Sequence, residues 1–338
     1  MQRREFLAGL AAAGATALIP DILKGAQTRP SPTAPPHRID VHYHGNSPGF
    51  IAAIKAHNTG QTALMNWTPA KALEEMDRDG VATSIMSTSE PSVYFGDAAA
   101  ARALARECND YAARLVADHP TRFGMFATLP LPDVDGTLRE IEYAFDTLKA
   151  DGVCFMSSYE GKYLGDPMFA PVMDELNRRK AVAYTHPFRG AMINMLPDNR
   201  ALGITLSTET TLTIQSILYT NTATRCPDIR FIWSHGGGTA PYITGRLGAA
   251  IGADGKPNAN LIAMQKFYYD TAQAFNEYTL PTFTTVVPMS HILFGTDYPF
   301  AQAATVAKGL ADYRFAPASL RAIERDNALE LFPRLKRT

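Results

Sequence analysis

The sequence predicts an α/β protein with the architecture of a (β/α)8 TIM barrel. Eight short apolar segments alternate with longer helical segments from residue 38 onward. Such alternation is typical of parallel strands joined by helical crossovers. The chain has 338 residues, a length that one barrel can fill. An open doubly wound sheet is the alternative, but no GxGxxG pattern follows the first predicted strand.

The order of the elements supports the barrel. Predicted strands cover residues 39–42, 82–86, 123–128, 153–156, 182–185, 230–234, 267–270 and 292–295. Predicted helices cover residues 69–79, 98–118, 137–150, 169–179, 208–220, 241–248 and 277–286, with a terminal helix at 320–335. Two long connections, 45–68 and 188–206, leave the C-terminal ends of the first and fifth strands. A barrel has its active-site mouth at these ends, so we expect the two connections to select the substrate.

The N-terminus resembles a twin-arginine export signal. Arg3 and Arg4 precede Phe6 and Leu7, and an apolar run of small residues follows at 8–19. The run is too short for a comfortable transmembrane helix, so no stable membrane anchor is expected. We predict a signal peptide at 1–26, a disordered linker at 27–36, a single barrel domain at 37–338 and a periplasmic location. A frayed or amphipathic N-terminal tail is the alternative.

Charge and cysteine content exclude several classes of function. The formal net charge of -1 gives no electrostatic reason to expect nucleic acid or an anionic membrane as a partner. Cys108, Cys154 and Cys226 are odd in number and lack CxxC spacing. Neither a disulfide framework nor a zinc ribbon is therefore expected.

Two histidines close the first predicted strand. His42 and His44 are two residues apart, so both side chains point to the barrel axis and form half of a metal site. The alternative is that they fill a barrel layer, but such layers prefer Val, Ile and Leu. Asp40 has the same parity one layer deeper, and we expect it to accept a hydrogen bond from an imidazole N–H.

Three more polar residues stand at the ends of later strands. His186 ends the fifth strand and is followed by proline, and His235 ends the sixth, before three glycines that let a substrate approach closely. Asp297 ends the eighth strand. Taken singly, His186 is as compatible with a satisfied core histidine as with a ligand, and Asp297 could instead cap a helix. Together with the first-strand pair, these residues place four imidazoles and a carboxylate on one face of the barrel.

This set of side chains predicts a mononuclear metal site. Histidine and carboxylate ligands with an open coordination position suit Zn²⁺, with Mn²⁺ as the alternative. Two-metal enzymes of this general plan use a carboxylated lysine at the end of the fourth strand. Here the fourth strand ends Cys154-Phe155-Met156-Ser157, and Lys162 comes too late. We therefore expect one divalent cation.

Five segments resemble the amidohydrolase-related superfamily, specifically its aminocarboxymuconate-semialdehyde decarboxylase branch. They are RIDVHYH at 38–44, LPLPD at 129–133, THP at 185–187, SHGGG at 234–238 and FGTDYP at 294–299. Within this branch the chain is most similar to the 6-methylsalicylate-type decarboxylases. The resemblance spans nearly the whole barrel domain. It implies a metal-dependent nonoxidative decarboxylase, a carboxy-lyase acting on an aromatic or unsaturated carboxylic acid.

The resemblance also assigns roles to individual residues. It implies that the metal ligands are His42, His44, His186 and Asp297. It further implies that His235 performs acid–base chemistry and that Arg246 reaches the site of a neighbouring subunit to bind a substrate carboxylate, so a homodimer is expected. An exposed helix arginine is the alternative for Arg246. We add Arg189 as a second candidate for binding the substrate, and Asp297, with His235, as a candidate acid.

Two other functions fit parts of the pattern. A metal-dependent hydrolase of a lactone or amide would use the same ion to activate water, with His235 as the base. Product analysis separates the two reactions, since one releases CO2 and the other a ring-opened acid. A non-catalytic binder of a metal or solute is the third hypothesis, and the many polar groups at the predicted barrel mouth argue against it.

Overall fold

Eight parallel strands form the centre of the structure, a computed structural model that describes residues 37–337 except for the side chains at 191, 192, 199 and 337. Each strand pairs in parallel with the next one in the chain. The strands are β1 Arg38–His44, β2 Val81–Ser87, β3 Phe123–Thr128, β4 Gly152–Met156, β5 Val182–His186, β6 Arg230–Trp233, β7 Tyr268–Asp270 and β8 Ile292–Leu293. The predicted signal peptide and linker lie outside the described residues.

Backbone hydrogen bonds join the first strand to the segment after the last one. The amide of Val41 donates to the carbonyl of Phe294 at 3.0 Å, and that of His44 donates to the carbonyl of Tyr298 at 2.9 Å. In the opposite direction, the amide of Asp297 donates to the carbonyl of His42 at 2.9 Å. We call this set of bonds the seam. The seam closes the sheet, and the predicted (β/α)8 barrel is confirmed.

Helices flank the barrel and begin and end at local signals. In α3, for example, the Thr68 hydroxyl accepts a hydrogen bond from the amide of Lys71, Pro69 occupies the first turn, and Gly80 ends the helix with φ +72°. Among residues 37–337, no helix has the length and apolar character needed to cross a membrane. The α-helices are α1 Pro48–Ala56, α2 Thr62–Met65, α3 Pro69–Asp79, α4 Ala98–Asp118, α5 Val134–Asp146, α6 Ala170–Arg179, α7 Leu202–Tyr219, α8 Thr222–Arg225, α9 Ala259–Lys266, α10 Leu280–Val286, α11 Ala303–Asp312, α12 Pro317–Arg321 and α13 Asn327–Leu331.

Several connections differ from the prediction. The helix expected at 241–248 is instead two 3-10 turns, Ala240–Tyr242 and Thr244–Leu247, because the glycines in this segment disfavour an α-helix. The long connection at 45–68 contains α1 and α2. Helix α1 begins where the Ser47 hydroxyl accepts a hydrogen bond from the amide of Phe50. Helix α7 begins earlier than predicted, inside the expected loop at 188–206.

Aromatic packing inside the barrel supports the C-terminal strand ends. Tyr184 of β5 is fully buried and stacks on Phe126 of β3, with 5.2 Å between ring centroids. Its other neighbour is His42, at 5.3 Å between centroids. Tyr184 lies two residues before His186, so both side chains point into the barrel. The His42 imidazole at the mouth therefore packs on a buried pair of aromatic rings.

Candidate active site

Four predicted ligands meet at the barrel mouth. His42 and His44 lie at the end of β1, His186 ends β5, and Asp297 follows β8. All four are buried, and one candidate ligand atom from each lies within 4.8 Å of the others. The closed barrel explains the meeting, because the seam places the first strand beside the segment after the eighth. Residues far apart in the chain thus converge on one point.

Hydrogen bonds fix the orientation of His42. Its Nδ1 donates to Oδ2 of the buried Asp270 at 2.8 Å, so in the neutral imidazole Nε2 carries the lone pair that faces the other ligands. The expectation that Asp40 would hold an imidazole is wrong. The Asp40 carboxylate accepts hydrogen bonds from the amide of His42 at 3.0 Å and from the hydroxyl of Thr296 at 2.6 Å. It therefore links β1 to the segment on the other side of the seam.

The electrostatics at His42 suit a bound cation. Its buried Nε2 lies 3.1 Å from Oδ1 of Asp297, yet the geometry is not that of a hydrogen bond. Burial would lower the pKa of His42, but the carboxylates of Asp270 and Asp297 outweigh this effect and raise that pKa to about 10. An additional positive charge is therefore favourable between the imidazole and the carboxylate, and a divalent cation would supply it.

The other two histidine ligands are held in the neutral form that metal binding requires. Burial lowers the pKa of His44 below its usual value, and burial together with the neighbouring imidazoles lowers the pKa of His186 well below it. Nδ1 of His186 lies 2.9 Å from the carbonyl oxygen of Pro187, so its Nε2 is free to act as a ligand. The three imidazoles and the carboxylate therefore fit a divalent cation.

His235 lies beside the cluster, with its ring centroid 4.9 Å from that of His42 and 5.7 Å from that of His186. Nε2 of His235 is 3.2 Å from Oδ2 of Asp297, and its buried Nδ1 has no hydrogen-bond partner among the described residues. The amide of His235 donates to Oδ1 of Asp270 at 2.9 Å. His235 and Asp297 have positive φ angles of 53° and 67°, a backbone conformation that is uncommon for residues other than glycine.

A cavity of about 330 Å³ opens beside these residues. His186, His235 and Asp297 line it, and so does Arg189, the predicted substrate-binding residue on the loop after β5. Arg246 does not line it; its side chain is exposed on the 3-10 turn Thr244–Leu247. In the single chain, the structure thus brings together all the predicted site residues except Arg246.

Two residues of this region were not predicted from the sequence. Asp270 ends β7 on the same barrel face as the histidines, a position that could have identified it. Glu90, after β2, is 6% exposed and accepts hydrogen bonds from the backbone amide of Arg189 at 2.9 Å and from its Nε. Burial raises the pKa of Glu90, and the Arg189 guanidinium opposes that rise. No local sequence pattern indicated this long-range pair.

Curated relatives of the chain are decarboxylases. The chain is 35% identical to a decarboxylase of Aspergillus niger over 325 residues, which cover 88% of each protein. It is also 35% identical to a 6-methylsalicylic acid decarboxylase of Aspergillus aculeatus, an alignment that covers 89% of this chain and 97% of the relative.

Solved structures share the fold. An amidohydrolase II crystal structure has a TM-score of 0.81 and 27% identity, and the alignment covers 87% of this chain and 99% of that one. A dihydroxybenzoic acid decarboxylase from Polaromonas, solved with manganese and 2-nitroresorcinol, has a TM-score of 0.75 and 22% identity, and covers 89% and 98% of the two chains.

The family assignment rests on nearly the whole described chain. Residues 39–334 match the amidohydrolase family, and the match contains all the strands of the barrel beyond the first residue of β1. The resemblance inferred from the sequence segments is thereby confirmed. This chain belongs to the amidohydrolase family.

Proposed function

We propose that this enzyme is a metal-dependent nonoxidative decarboxylase of a hydroxybenzoate-type acid. The observation that carries the proposal is the buried cluster of three imidazoles and one carboxylate, adjacent to His235 and open to a cavity of about 330 Å³. The relatives with 35% identity over most of the chain are decarboxylases, which favours this reaction over hydrolysis of a lactone or amide.

The chemical problem is the charge that develops on the ring. A proton adds to the ring carbon that bears the carboxylate, the carbon–carbon bond then breaks, and its electron pair restores the aromatic ring as CO2 leaves. A divalent cation held by His42, His44, His186 and Asp297 would supply Lewis-acid stabilisation of the substrate oxygens. The protein must supply the proton and hold the ring carbon near the acid.

The His235–Asp297 pair is placed to deliver this proton. Both side chains line the cavity, and the distance of 3.2 Å between Nε2 and Oδ2 lets them share a proton. The amide of His235 is bound to Asp270, so the backbone that carries the imidazole is fixed. A fixed donor beside the reacting carbon is what general acid catalysis requires. The proton leaves the pair at one of these two atoms and ends on the ring carbon.

The apolar part of the cavity suits a substituted ring. Leu202, Leu206 and Phe300 line it together with the polar residues. Apolar walls bury the faces of an aromatic ring and any small alkyl substituent, and a few polar groups fix its orientation. We therefore propose an alkyl-substituted salicylate as the substrate, in keeping with the 6-methylsalicylic acid named for the Aspergillus aculeatus relative.

For the cation we propose Zn²⁺, with Mn²⁺ as the alternative. Histidine nitrogens and carboxylate oxygens are both ligands that zinc accepts in catalytic sites. Manganese was bound in the structurally similar decarboxylase from Polaromonas, and this supports the alternative. Metal analysis of the purified protein, followed by reconstitution of the stripped protein with each ion, distinguishes them.

We also propose a homodimer in which Arg246 enters the partner's site. Its exposed position on the turn Thr244–Leu247 allows such a contact. Tyr242 and Tyr278, with 42% and 83% of their surface exposed, are aromatic side chains from this part of the chain that a second copy could cover. A monomeric mass by light scattering at micromolar concentration would contradict the dimer.

Export by the twin-arginine route is a separate proposal. It rests on Arg3, Arg4 and the apolar run at 8–19. Fractionation of cells that express the full chain tests it, with Arg3→Lys/Arg4→Lys as the matched variant. Equal amounts of both proteins in the periplasm would contradict it.

The direct test of the activity is CO2 release. We expect metal-loaded protein to release CO2 from salicylates with a small alkyl group on the ring, and an EDTA-stripped sample to lose this activity because the ligand cluster is then empty. A panel of hydroxybenzoates identifies the preferred ring. Hydrolysis of lactones with no CO2 from any acid would instead assign the chain to the hydrolase alternative.

A further inference from the structure

Glu90 occupies an unusual place for a carboxylate in a site that binds an acid. Only 6% of its surface is exposed, yet it lines the same cavity as His186 and Asp297. A buried carboxylate in the wall of an anion-binding cavity repels part of any anionic ligand, because charges interact strongly away from bulk water. Its position therefore needs a functional explanation.

The contacts of Glu90 tie it to Arg189. One carboxylate oxygen accepts a hydrogen bond from the Arg189 backbone amide at 2.9 Å, and the other accepts from the Arg189 Nε. Gln61, at the start of α2, also donates to Glu90, at 3.5 Å. Within residues 37–337, no hydrogen-bond acceptor is found for the two terminal nitrogens of Arg189, so they remain available to a ligand in the cavity.

The pairing of Glu90 with Arg189 affects the net charge of the cavity wall. The charged side chains other than histidine that line the cavity are Glu90, Arg189 and Asp297. With a divalent cation, and leaving aside the proton that His235 and Asp297 share, these groups carry one net positive charge, which matches a substrate with one carboxylate. Without Glu90, the wall would carry one more positive charge and would suit a substrate with two.

The residue before Glu90, Ser89, offers the ligand an uncharged polar contact. Ser89 is fully buried, lines the cavity, and its hydroxyl has no hydrogen-bond partner among the described residues. A phenolic or carboxylate oxygen of the ligand would satisfy this hydroxyl. The segment after β2 thus presents a hydroxyl that can bind a ligand oxygen, next to a carboxylate that disfavours additional negative charge.

We propose that Glu90 is a specificity-determining residue that restricts the site to monocarboxylates by compensating Arg189 and repelling a second carboxylate. This inference rests on the proposed function, because it concerns the acid bound in that cavity. The site would select by repelling dicarboxylates, and such selection needs no additional contact to the monocarboxylate.

The test compares salicylate with the 3-, 4- and 5-carboxysalicylates by calorimetric dissociation constants, using metal-loaded protein that carries His235→Ala so that no bound acid is consumed. We expect the protein with Glu90 intact to prefer salicylate over every dicarboxylate. In Glu90→Gln, that preference should shrink roughly 10-fold for at least one isomer, because like-charge repulsion is removed. Loss of the Glu90 charge could also loosen the orientation of Arg189, but this would weaken the binding of both ligands together. The ratio of their dissociation constants therefore isolates the effect of charge.

Two further variants serve as controls, and a third is a replacement test variant. Glu90→Asp keeps the charge and should keep the ratio measured with Glu90 intact. Glu175→Gln removes a carboxylate that pairs with Arg178 and Arg179 on α6, and should leave the ratio unchanged. Glu90→Ala replaces Glu90→Gln as the test variant if the latter does not fold, as judged by circular dichroism.

The outcomes separate this inference from the proposed function. A ratio that stays at the value measured with Glu90 intact in folded Glu90→Gln or Glu90→Ala, for all three isomers, overturns the role of Glu90. Failure of the wild type to release CO2 from any acid contradicts the decarboxylase instead, while the binding ratios still report on Glu90.

Discussion

His186→Ala is expected to lose the metal and, with it, the activity. His186 contributes one of three imidazoles to the buried cluster, and its Nε2 is left free by the contact of Nδ1 with the Pro187 carbonyl. Loss of a residue that merely orients a ligand typically weakens metal binding about 10- to 100-fold. Loss of the ligand itself should therefore cost more than about 100-fold in affinity. Metal content after dialysis, measured by mass spectrometry, and CO2 release provide the two readouts.

A matched control accompanies this substitution. His57 is exposed and lies in the connection at 45–68, and His57→Ala removes an imidazole without touching the cluster. This variant should retain both metal and activity. Both proteins are dialysed against a concentration of EDTA that leaves wild type fully loaded with metal. Full metal occupancy in His186→Ala after this dialysis would remove His186 from the ligand set.

His235→Ala is expected to keep the metal and lose turnover. His235 stands outside the four-ligand cluster, and its polar contact with the cluster is the 3.2 Å approach of Nε2 to Oδ2 of Asp297. General acid–base catalysis contributes about 10² to 10⁴ in rate, so kcat should fall roughly 10³-fold. Steady-state CO2 release, together with metal content, measures the two properties on the same sample.

The binding of an unreactive analogue completes that experiment. If His235 acts mainly on the proton, the dissociation constant of such an analogue should change by less than about threefold, since binding shared by ground and transition states is retained. A His235→Ala protein with near-normal kcat would show that the proton comes from elsewhere, and Asp297 would then be the remaining candidate of the pair.

The sequence is sufficient to predict the barrel and the meeting of five side chains at its mouth. Parallel strands place their C-terminal ends on one face, so the positions of His42, His186 and Asp297 at strand ends are enough to group them. Helix α1 is absent from the prediction although Ser47 and Pro48 form a recognised start signal, because the prediction gives the connection at 45–68 as one long loop. That error concerns local signals that the sequence does contain.

Other errors in the prediction could not be avoided from local sequence signals. Side-chain parity put Asp40 on the same face as His42 but could not indicate which atom each would contact, and the imidazole pairs with Asp270 of another strand instead. Glu90 and Arg189 are 99 positions apart, and only the closed barrel brings them together. Such partners depend on the geometry across strands, which residue order does not specify.

The seam has a consequence for how the protein is made. The ligands on its two sides, His42 and Asp297, come from opposite ends of the barrel domain, and the backbone bonds between them complete the sheet. A ribosome must therefore synthesise almost the entire domain before the fourth ligand exists. An ion bound by both sides would then cross-link the two ends of a loop that includes nearly the whole fold. Cross-links that close such long loops restrict the unfolded chain most.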